Sequence, residues 1–255
     1  MRRVPRFKLT IEYAGTRYSG WQIQKNARTI QGEIDRAVRT VTGRTDFELY
    51  GSGRTDAGVH ALGQVAHLDV STPLGDDRLR QRLNDELPAD INILSAERVP
   101  HRFHARHDAV ARRYIYQISR RRTAFAKPFV WWVKDPLDPA RMRDAAAALS
   151  GMRDFGRFAE RGDDEDEGAK STLVLIDRLD IVERDALLLV VVEGSHFLWK
   201  MVRRIVGALV EVGRGQPMPT EPARFTAPPS GLFLERVFYA SDRRDVPART
   251  ATPLA

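Results

Sequence analysis

The sequence predicts an α+β protein built on antiparallel sheets, and three observations predict it. Several short segments alternate apolar and polar residues, the period of a half-buried strand. Between them lie longer segments whose apolar residues recur at helical spacing. The resulting order, β-α-β-β-α-β, occurs twice along the 255 residues. That order is the ferredoxin-like, split β-α-β unit. The expectation is therefore two pseudo-repeated ferredoxin-like domains, residues 1–107 and 108–240, with 241–255 as a disordered tail. The repeat lies in element order, not in sequence identity.

In the first half, Phe7, Leu9, Ile11 and Tyr13 alternate through a strand over 6–13. Ile30, Ile34, Val38 and Val41 line a helix with Thr29 as its N-cap. A short strand over 47–50, a strand over 64–70, and a helix marked by Leu79, Leu83 and Leu87 follow. Pro88 stops that helix, and a strand over 91–99 closes the unit. In the second half, a strand over 110–119 precedes a helix capped by Asp138 and begun by Pro139, with Gly151 at its end. Strands over 173–183 and 187–193 meet at a turn near Arg184 and Asp185. Leu198, Met201, Ile205, Leu209 and Val212 line the next helix, and 231–239 is the last strand. The acidic run Asp163–Glu167 reads as a solvated loop.

Composition narrows the function classes. The net charge is +7 and Arg dominates the cations, which suits a polyanionic partner. The absence of cysteine excludes disulfides, thiolate catalysis and Cys-based zinc sites. No apolar run approaches a membrane span, and the N-terminus lacks a signal-peptide core, so the expected setting is the cytoplasm. His101, His104 and His107 recur in a probable loop, but their spacing matches no metal-binding pair on a helix face, and no metal is expected.

One stretch concentrates chemistry: Gly51-Ser-Gly-Arg-Thr-Asp-Ala-Gly-Val-His60. Its glycines permit backbone conformations closed to other residues and a close approach by a ligand. In an extended segment Arg54 and Asp56, two residues apart, point to the same side. The guanidinium then favours the ionised carboxylate, which can act as a nucleophile or stabilise a cation. His60 closes the stretch, placed to pack or hydrogen-bond there. Trp21 reads as core. Tyr114 and Tyr116 alternate with Arg113 in a strand, the way RNA-binding sheets present aromatic rings; one reads as core and one as functional. Lys200, Arg203 and Arg204 form a basic stripe at helical spacing, open to phosphate or to solvent.

The run from Gly53 to Val65, Gly-Arg-Thr-Asp-Ala-Gly-Val-His-Ala-Leu-Gly-Gln-Val, resembles the active-site signature of the TruA-type tRNA pseudouridine synthases. Segments similar to that family's follow its order over nearly the whole chain: Tyr18-Ser-Gly-Trp-Gln22, Phe103-His-Ala-Arg106, Arg112-Arg-Tyr-Ile-Tyr116, Met201-Val-Arg203, Ile205-Val-Gly207 and Ala227-Pro-Pro-Ser-Gly-Leu232. The chain departs from the pattern at His107, at Trp199-Lys200 and in a shortened 215–226 connection. The resemblance implies isomerisation of uridine to pseudouridine in the tRNA anticodon stem-loop, at positions 38–40, without cofactor or metal. It implies Asp56 as the catalytic nucleophile, and Tyr114, Arg54 and His60 as substrate contacts. It also implies a homodimer that bridges an anticodon arm. The reading from another class is a non-catalytic RNA-binding module. An acidic Asp56 amid a basic surface argues against it.

Overall fold

A computed structural model describes residues 4–160 and 171–252. The acidic run Asp163–Glu167 lies outside the described residues. The chain forms two compact units: Met1–Val110 with Leu234–Asp245, and Ala111–Phe233 with Val246–Ala255. Element order alone assigns the whole last strand to the second half; the packing groups its residues from Leu234 with the first unit.

The first unit runs β1 (Arg6–Tyr13), α1 (Ile30–Thr42), β2 (Glu48–Gly51), β3 (His60–Asp69), α2 (Asp76–Glu86) and β4 (Ile91–Val99). Alternation in β1 puts Phe7, Leu9 and Ile11 wholly out of solvent. β1 pairs antiparallel with β3 on one edge, Leu9 opposite Ala66, and with β4 on the other, Leu9 opposite Ala96. β2 pairs antiparallel with β3, Leu49 opposite Leu68. β1 and β2 therefore run parallel with β3 between them, and β3 and β4 run parallel with β1 between them. Each β-α-β crossover is split by one antiparallel strand, which is the ferredoxin-like arrangement.

Local signals set the helix ends. Thr29 Oγ1 accepts the N–H of Gly32 at 3.2 Å, and Gly43 ends α1 at φ 64°, a left-handed C-cap that glycine adopts without cost. Leu87, just before Pro88, is extended (φ −79°, ψ 148°), because the proline ring excludes the helical conformation from its predecessor. β3 starts earlier than the alternation suggested, at His60. Gly63 lies inside it because a side chain there would sit 2.9 Å from the carbonyl of Glu235; the glycine marks a close backbone approach, not a break.

The second unit contains β5 (Ala109–Ser119), β6 (Trp131–Trp132), α3 (Pro139–Leu149), β7 (Gly151–Asp154), β8 (Leu173–Arg184), β9 (Leu187–Gly194) and α4 (Met201–Gly213), and β10 (Leu232–Tyr239) starts in it. Its sheet has the order β5-β9-β8-β7, and β6 pairs parallel with β5. β9 is buried along its whole length. Asp138 Oδ1 caps α3 by accepting the N–H groups of Ala140 (2.9 Å) and Arg141 (3.2 Å). α4 begins at Met201, three residues after Leu198, because Lys200 takes a left-handed conformation at φ 58°. Gly207 lets α4 meet the turn after it: a side chain there would lie 1.5 Å from the carbonyl oxygen of Phe225.

Two features of this unit depart from the sequence reading. β7 was not foreseen, since Met152, Arg153 and Asp154 are all exposed and leave no apolar alternation. Within 241–255, expected to be a disordered tail, residues 246–252 are hydrogen-bonded to β5. Arg113 Nη1 donates to the carbonyl of Val246 at 2.8 Å, and Gln117 Oε1 accepts the N–H of Ala251 at 2.9 Å. Arg113 and Gln117 are fully buried, and buried polar side chains require partners. No helix among the described residues is long and apolar enough to cross a membrane.

Candidate active site

The Gly-rich stretch leaves β2 and returns into β3. Its entry is tied to β3 by Ser52, whose N–H reaches the carbonyl of Val65 at 2.7 Å and whose Oγ reaches Gln64 Oε1 at 2.7 Å. Gln64 Nε2 donates in turn to the carbonyl of Gly53 at 3.0 Å. At its centre Thr55 is buried, its Oγ1 2.8 Å from Tyr13 Oη on β1. Residues 54–56 belong to neither a helix nor a strand. Arg54 is exposed and Asp56 half-buried. A tight turn follows: the carbonyl of Asp56 accepts the N–H of Val59 at 3.1 Å, and Gly58 sits at φ 77°, the value a type II turn requires at that position.

A second segment braces the loop from behind. The N–H of Trp21 donates to the carbonyl of Thr55 at 3.0 Å, and the N–H of Gly58 donates to the carbonyl of Tyr18 at 3.2 Å. Contact is so close that only glycine fits at two places. A side chain on Gly15 would lie 1.9 Å from the carbonyl of Val59; one on Gly20, at φ 90°, would lie 2.5 Å from that of Thr55. Trp21 is buried, and its ring fills the space a side chain on Gly51 would take, 2.7 Å away. Tyr18 Oη donates to Asp90 at 2.5 Å, and burial and this carboxylate push its phenol pKa far up. A side chain on Gly53 would stand in open space.

The remaining expected site residues have distinct places. His60 is buried, and its Nδ1 accepts the N–H of Gly15 at 3.0 Å; this is the place of a brace, not of an exposed contact. Tyr116 is the core tyrosine: it is fully buried, its Oη donates to the carbonyl of Pro228 at 2.7 Å, and burial raises its pKa well above the usual phenol value. Tyr114 on β5 in the second unit is half-buried and meets Phe197 edge-on at 5.2 Å.

The basic stripe on α4 is not one face. Arg204 is only 7% exposed and donates to the Ala159 carbonyl and to Glu160, which also takes Lys200 Nζ at 2.7 Å. Arg203 Nε donates to the carbonyl of Ala227 at 2.7 Å. His104 packs against His107 and His67. Among the described residues, no group of three or more His, Asp or Glu side chains is placed to hold a metal ion.

A family model described as tRNA pseudouridine synthase matches residues 9–108 and 145–227, a span that contains the whole Gly-rich loop and both braces. The chain belongs to this family. Relatives named tRNA pseudouridine synthase A cover nearly all of it. Those of Afipia carboxidovorans and Nitrobacter hamburgensis are each 41% identical over 250 residues, spanning 92% of this chain and all of the relative. That of Rhodopseudomonas palustris is 42% identical with the same coverage.

For a tRNA pseudouridine synthase, the loop geometry gives a role to residues that motif reading left without one. Tyr13, Gly15, Gly20 and Gln64 shape the backbone on which Asp56 stands, yet none carries reactive chemistry. In the sequence, Gly15 and Gly20 lie between the first strand and the first helix. Their role as spaces for the loop carbonyls appears once segments more than thirty residues apart are brought together.

Proposed function

We propose that this protein converts uridine to pseudouridine in the anticodon stem-loop of tRNA, at positions 38–40, with Asp56 as the catalytic carboxylate. The observation that carries the proposal is the placement of Asp56. A buried Thr55, two backbone bonds to the 18–21 segment and a turn closed on its own carbonyl fix the main chain, while Asp56 is half-buried and Arg54 exposed. Preorganised groups of this kind need no rearrangement at the moment of reaction.

The target uridine leaves its stack, because no side chain reaches the C1′–N1 bond within a helix. The Asp56 carboxylate meets the positive charge that grows at C1′ as that bond breaks, as carboxylates do in glycoside cleavage. The freed uracil turns, C5 bonds to C1′, the proton on C5 departs and N1 gains one. Uridine and pseudouridine have the same composition, so the chemistry balances without oxidant, water or cofactor. Arg54 occupies the space the base vacates, and Tyr114 contacts the base. His60 acts indirectly, as a positioning residue, through Gly15.

The test is tritium release from tRNA labelled at uracil C5. Wild type should release tritium with the strand intact. A folded Asp56→Asn variant that releases tritium at the wild-type rate would overturn the assignment. Cytoplasmic residence fits a tRNA substrate. The resemblance also supports a homodimer: light scattering at micromolar concentration should give twice the 28.9 kDa chain mass, and a fully active monomer would refute that part.

A further inference from the structure

The loop joining β5 to β6 carries a cluster that the proposed chemistry does not use. Arg120, Arg121 and Arg122 begin it, Phe125 stands at its middle and Lys127 follows. Phe125 is 97% exposed, the most exposed large apolar side chain described, and Trp132 just beyond the loop is 41% exposed. A phenyl ring held almost entirely in water gains nothing for the fold, since apolar side chains stabilise by leaving solvent. Phe125 is therefore available for a partner.

The loop is built, not loose. Its ends meet where Ser119 pairs with Trp132, and the N–H of Val133 donates to the carbonyl of Ser119 at 3.2 Å. Ser119 Oγ donates to the carbonyl of Arg121 at 2.5 Å, Gln117 Nε2 to that of Phe129 at 2.8 Å, and Thr123 Oγ1 accepts the N–H of Ala126 at 3.2 Å. Ala126 and Val130 plug into a buried cluster with Leu187 and Leu189. Compact surface loops with joined ends and internal packing are frequent sites of function. Anchoring on both sides of Phe125 presents the ring at little further ordering cost.

Charge selects the partner. Arg120 is tied to Glu183 at 2.9 Å and to the carbonyl of Asp185 at 2.5 Å. Arg122 lies over the Trp132 ring at 5.8 Å, and no carboxylate pairs with Arg122 or Lys127 among the described residues. An exposed ring flanked by cations matches the pattern by which proteins hold single-stranded nucleic acid: bases stack on the ring and phosphates lie against the cations. A two-fold contact between copies centred on this loop would set like charges opposite each other, which disfavours a second chain as the occupant.

We infer that the 120–130 loop is a second RNA-contact platform, on which an unpaired nucleotide of the tRNA stacks on Phe125 while neighbouring phosphates rest on Arg122 and Lys127. The substrate identity rests on the function proposed above; the stacking contact itself does not. The experiment measures dissociation constants of the full-length protein for tRNA and for a labelled, unstructured oligouridylate. Phe125→Ala should weaken both about tenfold. Phe125→Trp should restore binding, and Phe125→Leu should not, because leucine keeps apolar area but has no π-face. Arg122→Gln with Lys127→Gln should lower the slope of log affinity against log salt by about 0.7 to 0.9 per lost charge.

Folding should survive every change, since Arg122, Phe125 and Lys127 are all exposed. Phe125→Ala should raise the tRNA concentration that half-saturates tritium release by a factor similar to its loss of affinity. Unchanged affinity in Phe125→Ala, full affinity in Phe125→Leu, or a changed molecular mass without a change in RNA affinity would each overturn the platform. A wild-type protein that binds RNA through Phe125 but releases no tritium would count against the catalytic reading alone.

Discussion

Two charged stretches of this chain look alike in sequence and differ in what they do with their charge. The loop 51–60 sets Arg54 and Asp56 two residues apart; the start of α4 sets Lys200, Arg203 and Arg204 within one helical turn. In the loop, backbone groups and the buried Thr55 supply the fixing bonds, and Arg54 is exposed and Asp56 half-buried. On α4, Arg204 turns inward to the Ala159 carbonyl and Glu160, and Lys200 joins the same carboxylate. A charge serves chemistry when something else holds its main chain. When the charge itself does the holding, it belongs to the fold.

The largest expected effect tests the loop side of this contrast. Asp56→Asn keeps shape and hydrogen-bonding reach but removes the carboxylate, and turnover should fall by about four orders of magnitude or more. Thermal stability should barely move, and tRNA affinity should stay level or rise slightly, because one negative charge leaves an RNA-facing surface. Parallel loss of stability and activity would make Asp56 a turn residue and erase the distinction.

Arg204→Met tests the other side. The change takes a donor from the Ala159 carbonyl, while Lys200 still pairs with Glu160; the loss should be about 1–3 kcal/mol, seen as a lower Tm. The salt slope of tRNA binding should not change, since Arg204 faces no phosphate. A shallower salt slope at unchanged Tm would return Arg204 to the RNA-binding surface.

How much of this was legible depended on the range of the interaction. Thr29, Asp138 and Pro88 act within a few residues, and the ends they set agree with the alternation and capping rules. Strands 6–13 and 91–99 were legible because one face of each is buried. The fate of Arg204 was not: its partner Glu160 lies 44 residues away, and helical spacing gives the period of a stripe but not which side is covered. Arg113 meets Val246 across 133 residues, so composition suggested disorder where the structure has bonds. The loop that carries Asp56 was legible because its signature is contiguous, whereas the brace through Gly15, Gly20 and Tyr13 arrives from a distant segment.

The smallest expected effect concerns histidines that resemble His60 in serving as acceptors. His67 Nδ1 accepts the N–H of Ala105 at 3.1 Å, and His104 Nδ1 accepts those of Arg106 and His107 at 3.2 Å. Burial lowers both pKa values, with nearby cationic groups adding to the shift. The folded chain then resists protons that the unfolded chain takes up as pH drops below about 6.5. Stability should be full above that pH and decline beneath it until the folded histidines titrate. A Tm that is flat between about pH 7.5 and 5.5 would show that these histidines take up protons equally in the folded and unfolded chain.

The close seat of Gly15 and Gly20 against the carbonyls of Val59 and Thr55 bears on transplanting this chemistry to another scaffold. The ten residues from Gly51 to His60 do not form a portable module, because the surface that shapes their main chain belongs to residues 13–21. A graft of the loop alone would carry the carboxylate without its posture. The smallest transferable piece is the pair of segments with the β1–β3 register that aligns them, so a functional transplant amounts to moving most of the first unit.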